Sequence, residues 1–516
     1  MSEQQLKVIN IIGGGSAGWM AAIYLNRYFN RDRKNYTIRV IESPDIGIIG
    51  VGEATVHSIR FFFAAMGLDE TELMAETNAT LKSGILFRNW MKPTEGKVHE
   101  YFHPFDQQQP GGSIDISSAW FIASRGGRER YDQGVSVNAH LIDAGVCPKT
   151  ISSAPYQAIT PYGYHLDATL LARFLRRKAV EAGVLHVPAT VSDVQVNGET
   201  VLSVDTDQGR FSGDFFVDCS GFRGLVIEKL RRENWSSFAE SLPCDRAVAI
   251  QRDLPAGQAP NSYTVATALS NGWAWQIDLV NRQGCGYVYD SSRQAPEDAE
   301  RELRQFLEDE SRVLKCTHLE MKVGCRKEFW IGNCVAVGLA GGFIEPLEST
   351  GLHMVHLGVG LLATHLAGSE EGGVPQPLRD SYNEKMLGFY QDLKQFIVLH
   401  YCLSDRDDTD FWRAAAATVD GCPWLKSRLA IWKHKICEYQ DFAGSFASIF
   451  TDTNYRYVLY GMQHCPQLTF EISGAESASI FARFRALVDR ALSGCMEHSA
   501  YLQMVHAAEK GGSVHV

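Results

Sequence analysis

The sequence predicts an α/β fold in which a parallel sheet receives inserted strands and is followed by a mainly helical C-terminal region. Three strand-like apolar runs that each break into small residues predict the sheet: LKVINIIGGGSAGW at 6–19, FSGDFFVDCSGFRGL at 211–225 and GNCVAVGLAGGFIEPLESTG at 332–351. More than a hundred residues separate each break from the next, so these strands pair only if the intervening segments are inserted. Residues 1–370 are therefore predicted as the sheet domain with inserted strands, and residues 371–516 as the helical region that caps it.

The first strand, turn and helix match the fingerprint of a dinucleotide-binding site. The turn GGGSAG fits G-x-G-x-x-G between a strand and a helix, and the next strand, TIRVIES, ends in an acid at the distance expected for a ribose ligand. Glycines allow backbone N–H groups and a helix N-terminus to approach a pyrophosphate. The residues predicted to contact the dinucleotide are Gly13, Gly15, Ser16, Ala17, Gly18 and Glu42.

Two other interpretations overlap this turn. Residues 14–18 also fit G-x-S-x-G, the nucleophile elbow of serine hydrolases. An elbow gives no reason for Gly13 or for Glu42, which closes the next strand. A glycine-rich turn without a ligand is the second alternative. The motif alone does not separate NAD from FAD, but the later strand ends at Asp218 and Gly338 fit a cofactor-facing edge and favour FAD.

Composition excludes several classes of function. The chain has 516 residues, of which 45% are hydrophobic, and a net charge of −11, which gives no basic surface for a nucleic acid. Its twelve cysteines are scattered rather than paired at metal-ligand or disulfide spacings, which favours reduced thiols. The start of the chain carries no export signal, and no run of about 18 apolar residues occurs. The sequence predicts a cytoplasmic protein without a nucleic-acid or membrane partner.

The stretch EPLESTG at 345–351 predicts an anion site at the start of a helix. Ser349 and Thr350 are residue types that cap helices, and LHMVHLGVGLLATHL after them has helical apolar spacing. The amides of Thr350 and Gly351 should therefore point out of the helix, where a halide, a flavin oxygen or a phosphate could bind. Glu348 precedes the cap, so its carboxylate is held in place. The alternative is that these residues only start a helix.

A lysine lies within an apolar segment, LKSGILFRNW at 81–90. Lys82 has Leu81, Ile85, Leu86 and Phe87 as neighbours in sequence. The ordinary interpretation is that its stem covers apolar surface while its amine reaches water. The alternative is that the amine is dehydrated in a site that requires it.

The residues above resemble the flavin-dependent tryptophan and indole halogenases. The matching motifs, in the family's order, are GGGSAGWMAA, VGEATV, LKSGILFRNW, YFHPFD, YGYHLDA, VDCSGFRG, LPCDRAVA, WAWQI and EPLESTG. The resemblance covers about the first 360 residues well and the remainder loosely. EPLESTG together with W-x-W-x-I is its most specific part. It implies the FAD-binding Rossmann-like core of the GR2-type flavoprotein monooxygenases, with substrate-side strands inserted.

The resemblance also implies a reaction. FAD, used as FADH2 supplied by a separate flavin reductase, acts with O2 to oxidise chloride or bromide. In the family the halide lies at the positions of Thr350 and Gly351, and the hypohalous acid travels to a lysine that matches Lys82. That lysine holds the oxidant as a hydrogen-bonded acid or as a haloamine, and a haloamine requires a neutral amine, which desolvation favours. Glu348 matches the carboxylate that polarises the reagent and helps to remove the ring proton.

Further site residues follow from the resemblance. Trp273 and Trp275 match tryptophans thought to keep the substrate away from the flavin, although Asp278 replaces the usual proline. The additional cofactor contacts are Asp218, Gly338 and Gly351. The implied substrate-binding residues are His103, Phe105, Tyr439 and Phe450.

One motif conflicts with this interpretation. Residues 99–103 spell H-E-x-x-H, the zinc-protease signature, which requires both histidines on one face of a helix. Pro104 biases His103 away from helical geometry. No metal site is predicted.

The sequence leaves the substrate open. In EYQDFAGSFASIF at 438–450, Gln440 replaces a tyrosine of the loop with which tryptophan halogenases grip the amino-acid head group. Free tryptophan, indole and other electron-rich aromatics all stay open, as do regioselectivity and the choice of chloride or bromide. The resemblance implies a homodimer. The rival functions are an aromatic hydroxylase, which usually has an aspartate where this chain has Leu339, and an electron-transfer flavoprotein.

Overall fold

The computed structural model describes residues 7–47, 52–106, 115–124, 130–254, 259–308, 313–368, 373–442, 449–469 and 474–510. The strands are β1 (Lys7–Ile12), β2 (Tyr36–Glu42), β3 (Glu53–Ala54), β4 (Thr80–Lys82), β5 (Gly84–Arg88), β6 (Glu100–Pro104), β7 (Gly163–Leu166), β8 (Leu185–Pro188), β9 (Val191–Asn197), β10 (Thr200–Thr206), β11 (Gly209–Ser212), β12 (Phe215–Asp218), β13 (Trp235–Ser237), β14 (Arg246–Arg252), β15 (Thr264–Leu269), β16 (Gly272–Asp278), β17 (Gln283–Tyr289), β18 (Val313–Glu320), β19 (Gly324–Arg326), β20 (Trp330–Ile331), β21 (Cys334–Ala336) and β22 (Gly342–Phe343). The helices are α1 (Ser16–Phe29), α2 (Ile59–Ala65), α3 (Glu70–Glu76), α4 (Ile116–Ser124), α5 (Tyr131–Val135), α6 (Val137–Asp143), α7 (Ala168–Glu181), α8 (Ile227–Leu230), α9 (Pro296–Leu307), α10 (Gly351–Leu366), α11 (Gln376–Cys402), α12 (Asp410–Ala415), α13 (Pro423–Ile431), α14 (Asp452–Gly461), α15 (Gly474–Gly494) and α16 (His498–Lys510).

A six-stranded sheet forms the core that the first strand, turn and helix predict. Its order is β20-β21-β12-β1-β2-β8, and every pair from β21 to β8 is parallel. The three strands expected to meet, β1, β12 and β21, are adjacent, which confirms the predicted Rossmann-like α/β fold. Their carboxyl ends lie together because the strands are parallel, and α1 crosses from β1 to β2.

The inserted segments form a second sheet. It has seven strands in the order β18-β14-β17-β16-β15-β5-β6, in which only the β15–β5 pair is parallel. A small sheet, β3-β7-β4, lies beside it and ends at Lys82. Together they carry the LKSGILFRNW, YFHPFD and WAWQI segments toward the helix that follows EPLESTG.

Helices dominate the described part of the chain after residue 373. They pack on the same hydrophobic core as the first sheet. One buried cluster includes Ile9 of β1, Trp273 of β16 and Phe396 of α11. The boundary predicted at 370 and 371 lies outside the described residues. None of the twelve cysteines, all of which are described, forms a disulfide, and most are buried. Among the described helices, none has the length and apolar character needed to span a membrane.

Candidate active site

Lys82 is fully buried at the end of β4. Its Nζ donates a hydrogen bond to Ser349 Oγ at 2.7 Å and lies 5.1 Å from the centre of the Phe105 ring. Burial lowers the Lys82 pKa to about 7, although the charge of Glu348 raises it. The amine is therefore sheltered rather than wet, as the functional interpretation of the LKSGILFRNW segment requires.

Ser349 reaches this amine through an unusual backbone conformation. A single 3-10 turn, Pro346–Glu348, leads into Ser349, whose φ is +58°. Residues other than glycine rarely occupy this left-handed region, and the strain costs about 1 to 3 kcal/mol. The sequence predicts Ser349 as a helix-capping residue. In the structure it instead joins the turn to the helix and accepts the hydrogen bond from Lys82.

Glu348 is buried between two histidines. His103 Nδ1 lies 2.9 and 3.0 Å from its two carboxylate oxygens, and His400 Nε2 lies 3.0 Å from Oε1. Burial by itself raises the pKa of Glu348, but His103 and His400 outweigh burial and lower the pKa to about 2. The carboxylate is therefore ionised at neutral pH and held rigidly beside the residue that contacts Lys82.

A hydrogen bond further out sets the proton position on His103. Asn454 Nδ2 donates to His103 Nε2 at 3.0 Å, so His103 carries its proton on Nδ1, facing Glu348. The Asn454 amide is oriented because its Oδ1 accepts from the backbone N–H of Thr451 in the capping box of α14. On the other side, the Tyr101 hydroxyl lies 2.7 Å from His400 Nδ1. His103 thus presents an N–H to the carboxylate, and His400 Nε2 lies near it without a hydrogen bond among the described residues.

The helix start at EPLESTG has room for an anion. Helix α10 begins at Gly351, and Thr350 occupies the N-cap position without a side-chain cap bond to the helix. Gly351 is exposed, and a Cβ built on it would meet no atom within 4 Å. A helix of 16 residues presents partial positive charge at this end. The halide assignment to Thr350 and Gly351 fits this geometry and stays a prediction.

The predicted dinucleotide turn fits FAD. A Cβ at Gly13 or Gly18 would lie 2.3 Å or less from a backbone oxygen, whereas a Cβ at Gly15 would meet nothing within 4 Å. Glycine at positions 13 and 18 therefore allows close chain packing, and Gly15 borders open space at the start of α1. Glu42 Oε2 is buried and has no hydrogen-bond partner among the described residues, although His186 Nε2 lies 3.1 Å away. A ribose hydroxyl would satisfy it.

The other predicted FAD contacts differ in whether they already have contacts within the protein. Asp218 accepts hydrogen bonds from the backbone N–H groups of Ser220, Val226 and Ile227, so its carboxylate holds the turn after β12. A contact between its side chain and FAD stays a prediction. Gly338 has a φ of +66°, and a Cβ there would lie 2.8 Å from the Cβ of Ala17. Ser16 is the first residue of α1.

Two glycine variants separate cofactor binding from folding. Gly15→Ala should leave the Tm unchanged, because its φ of −74° suits alanine and the added methyl meets no atom. It should weaken FAD binding about tenfold or more, since the methyl occupies the space beside the helix start. Gly18→Ala should lower the Tm, because its Cβ would lie 1.9 Å from Gly13 O. Fluorescence titration measures the FAD affinity of each variant, and thermal unfolding measures its Tm. Equal FAD affinity in Gly15→Ala and the native chain would contradict the assignment.

Comparison with known proteins identifies the family. The model of the family described as tryptophan halogenase matches residues 8–476. The chain belongs to the tryptophan halogenase family. It is 34% identical to tryptophan 6-halogenase SttH of Streptomyces toxytricini, over 95% of this chain and 96% of that one. It is 38% identical to 7-chloro-L-tryptophan 6-halogenase KtzR of Kutzneria, over 83% and 85% of the two chains.

A solved structure gives the same result. The crystal structure of a tryptophan halogenase from Shewanella frigidimarina superposes with a TM-score of 0.90 at 29% identity, and covers 98% of this chain and 99% of that one. The chain is therefore a flavin-dependent halogenase, which confirms the family resemblance, the fold and the enzyme class. The comparisons favour halogenation over the two rival functions, hydroxylation and electron transfer.

The two tryptophans of the halogenase that match the flavin-shielding pair lie on one face of β16. Trp273 Nε1 donates to Glu345 Oε2 at 2.7 Å, whereas Trp275 Nε1 is buried without a partner among the described residues. Glu345 also accepts from the Tyr401 hydroxyl at 2.6 Å, and burial raises its pKa to about 7. Asp278, which replaces the family proline, accepts hydrogen bonds from Asn261 and Gln283 and so stabilises the strand end.

Aromatic side chains from several elements form the wall beside Glu348. The ring centres of Phe396, Phe450 and Tyr457 lie 5.7 to 6.3 Å from that of His103. Phe396 and Phe450 stack at 3.8 Å. The structure thus brings together three of the four predicted substrate residues, since Phe105 lies over Lys82. Tyr439 is 69% exposed, and no described contact joins it to this wall; its assignment stays a prediction.

The H-E-x-x-H segment of the halogenase is not helical. Glu100–Pro104 forms β6, paired with β5, so His103 lies on a strand and donates to Glu348. The expected effect of Pro104 on local geometry is therefore confirmed.

Four residues of the site were not predicted from the sequence: His400, Tyr101, Asn454 and Glu345. His400 is one polar residue in the long helix α11, without a motif around it. Asn454 does carry a local signal, because Thr451 and Asn454 have the spacing of a capping box. Glu345 opens the EPLESTG motif, but only Glu348 directly precedes the predicted helix cap.

Proposed function

We propose that the halogenase uses FADH2, O2 and chloride or bromide to halogenate an indole ring through Lys82. The observation that supports this most is the sheltered amine of Lys82 beside the fixed carboxylate of Glu348. Ser349 is bonded to the amine, His103 on β6 contacts Glu348, and Phe105, which follows β6, lies over the amine. Bound FADH2 would supply, with O2, the two-electron oxidation that converts a halide into hypohalous acid.

Lys82 has the properties of a halogen carrier. With a pKa of about 7, a large fraction of the amine is neutral near pH 7 and has a free electron pair. The nitrogen takes the halogen from hypohalous acid, and water leaves. When a ring carbon takes the halogen from nitrogen, the nitrogen regains a proton and the ring loses one. Burial keeps the reagent away from other nucleophiles.

Glu348 is suited to accept the proton that leaves the halogenated ring carbon. A carboxylate with a pKa of about 2 is a weak base, but the proton on a halogenated ring carbon is strongly acidic, so a weak and always ionised base is sufficient. His103 Nδ1 lies within 3.0 Å of both oxygens, and His400 Nε2 lies 3.0 Å from Oε1. The carboxylate therefore does not rotate away when the substrate enters.

Tryptophan is the first substrate to test, because the relatives are named for it. The wall of Phe396, Phe450 and His103 fits a flat aromatic ring. Indole and simple indole derivatives are the comparison set, because Gln440 departs from the family's head-group loop.

A separate flavin reductase is the proposed source of electrons. A further glycine pattern, Gly358-x-Gly360-x-x-Ala363, resembles a dinucleotide motif but lies inside α10 rather than between a strand and a helix. Gly358 packs near Tyr382 and Met386. It is therefore a packing feature and not a second dinucleotide site. A homodimer and a cytoplasmic location stay predictions from the sequence.

A reconstituted assay tests the proposal. The purified chain is supplied with a flavin reductase, NADH, FAD, oxygen and chloride or bromide, together with tryptophan, indole or an indole derivative. Mass spectrometry should show the isotope pattern of one halogen in the product. Products that contain oxygen and no halogen at any halide concentration would instead support a hydroxylase, and no change in any aromatic would support electron transfer.

The pH dependence distinguishes the two ways in which Lys82 could hold the oxidant. If the neutral amine carries the halogen, the single-turnover rate should rise as pH increases through about 7, because the neutral fraction increases there. Glu348 stays ionised above about pH 3 and adds no falling limb. The rate is measured by rapid quench with chemically reduced FAD between about pH 5.5 and 9. A rate that falls through pH 7 would show that the ammonium form is needed.

A further inference from the structure

Asp392 is a buried carboxylate on α11 that the proposed chemistry does not use. It is 7% exposed, and its Oδ2 accepts a hydrogen bond from the backbone N–H of Ile449 at 2.5 Å. Burial raises the Asp392 pKa to about 7, although hydrogen bonding to backbone N–H groups lowers it. A buried carboxylate is costly, and this one is bonded to the backbone of Ile449, the residue that leads directly into Phe450.

The same face of α11 contacts both the wall and the catalytic carboxylate. Asp392, Phe396 and His400 are spaced four residues apart, so their side chains line one face of the helix. Phe396 stacks on Phe450 with ring centres 3.8 Å apart and planes 19° apart. His400 Nε2 lies 3.0 Å from Glu348 Oε1. One rigid helix thus fixes Phe450 and Glu348 relative to each other.

Phe450 is held at two points. Its ring packs on Phe396 and lies 6.3 Å from the His103 ring, and the backbone N–H of the preceding residue, Ile449, is bonded to Asp392. Ring stacking alone permits sliding, because stacked rings tolerate offsets. The hydrogen bond from Ile449 to Asp392 limits this freedom, because it holds the backbone next to Phe450.

We propose that Asp392 is a positioning residue that fixes the Phe450 wall of the substrate pocket and so determines which ring carbon faces Lys82. The proposal rests on the proposed function, since it concerns the orientation of the aromatic substrate. Asp392 touches neither the ring nor the halogen and acts through Phe450. Its effect is therefore on substrate binding and on product isomers, not on the oxidation of the halide.

The test compares Asp392→Asn with Asp380→Asn. Asparagine has nearly the same shape but carries no charge and only one acceptor oxygen, so its hydrogen bond from the Ile449 N–H should be weaker. Asp380 is an exposed aspartate on the same helix that bonds only Gln376 in the described structure, so Asp380→Asn is a matched control. Asp392→Asn should raise the KM for the aromatic about tenfold and change the ratio of halogenated isomers. Hypohalous acid production without substrate should equal that of the native chain. Asp380→Asn should match the native chain in KM, isomer ratio and hypohalous acid production.

A second variant tests whether Asp392 acts through Phe450. Phe450→Ala should change the isomer ratio, and adding Asp392→Asn to it should produce little further change, because the two residues share one pathway. A folded Asp392→Asn with the native KM and isomer ratio would overturn the proposal. If Asp392→Asn does not fold, the native isomer ratio in Phe450→Ala would overturn it. Failure of the proposed function is distinguishable, because the native chain run in parallel would then yield no halogenated isomers.

Discussion

Replacing Lys82 with methionine should abolish halogenation while the protein stays folded and binds FAD. Methionine keeps the length and apolar stem of the side chain but has no nitrogen to carry the halogen. The expected loss in kcat/KM is at least about 10³-fold, equal to about 4 kcal/mol of transition-state stabilisation. The Tm should be the same or higher, because a buried amine whose pKa burial lowers to about 7 is replaced by an apolar group. Product analysis and thermal unfolding measure the two effects.

Two controls define this result. In Lys82→Met, hypohalous acid should still form and be released, which a small diketone scavenger detects by its halogenation. Lys149 is the matched residue, because it is equally buried and its Nζ donates to Glu70 at 2.8 Å. Lys149→Met should lower the Tm, since it removes the cation paired with the buried carboxylate of Glu70, yet keep the activity per folded molecule. Halogenation by Lys82→Met at more than a few per cent of the native rate would refute the role of Lys82.

Glu348→Gln should lower kcat by at least about 10²-fold. The amide keeps the shape but loses the charge, and its NH2 group must face the N–H of His103, which lies within 3.0 Å of both carboxylate oxygens. The effect should fall on kcat more than on KM, because the ring proton is removed after the substrate binds. The remaining activity should reach its plateau at a lower pH, since the Glu348 charge raises the Lys82 pKa. Steady-state kinetics at several pH values measure both changes.

Glu300 supplies the comparison for Glu348. It is an ion-paired carboxylate on α9 that contacts Arg304 and His318, and neither residue belongs to the site. Glu300→Gln should have nearly native kinetics. If Glu348→Gln retained native kcat, another group would have to accept the ring proton.

Local patterns were sufficient to predict the core of the fold. The strand, glycine turn and helix from β1 to α1 depend on residues within about 20 positions, so their chemistry is visible in sequence. The adjacency of β1, β12 and β21 followed from their glycine-marked ends. The contact between Lys82 and Ser349 joins residues 267 apart, and only the family resemblance linked those segments.

Other parts of the site depend on contacts that no local pattern encodes. His400 and Asp392 are polar residues in a 27-residue helix. Their contacts form only when α11 packs against Glu348 and Ile449, which are distant in sequence. The spacing of Asp392, Phe396 and His400 on one helical face was the available signal. Asp278 is the opposite case. It departs from the family motif, but hydrogen bonds from Asn261 and Gln283 accommodate its side chain.

A crystal structure with FAD, bromide and tryptophan or indole tests the central claim most directly. Anomalous scattering would locate the bromide, and electron density would locate the ring. We expect bromide at Thr350 and Gly351, and a ring carbon beside both Lys82 Nζ and the Glu348 carboxylate, against the Phe396 and Phe450 wall. A ring that lies against the flavin, with Lys82 and Glu348 facing away from it, would contradict the account.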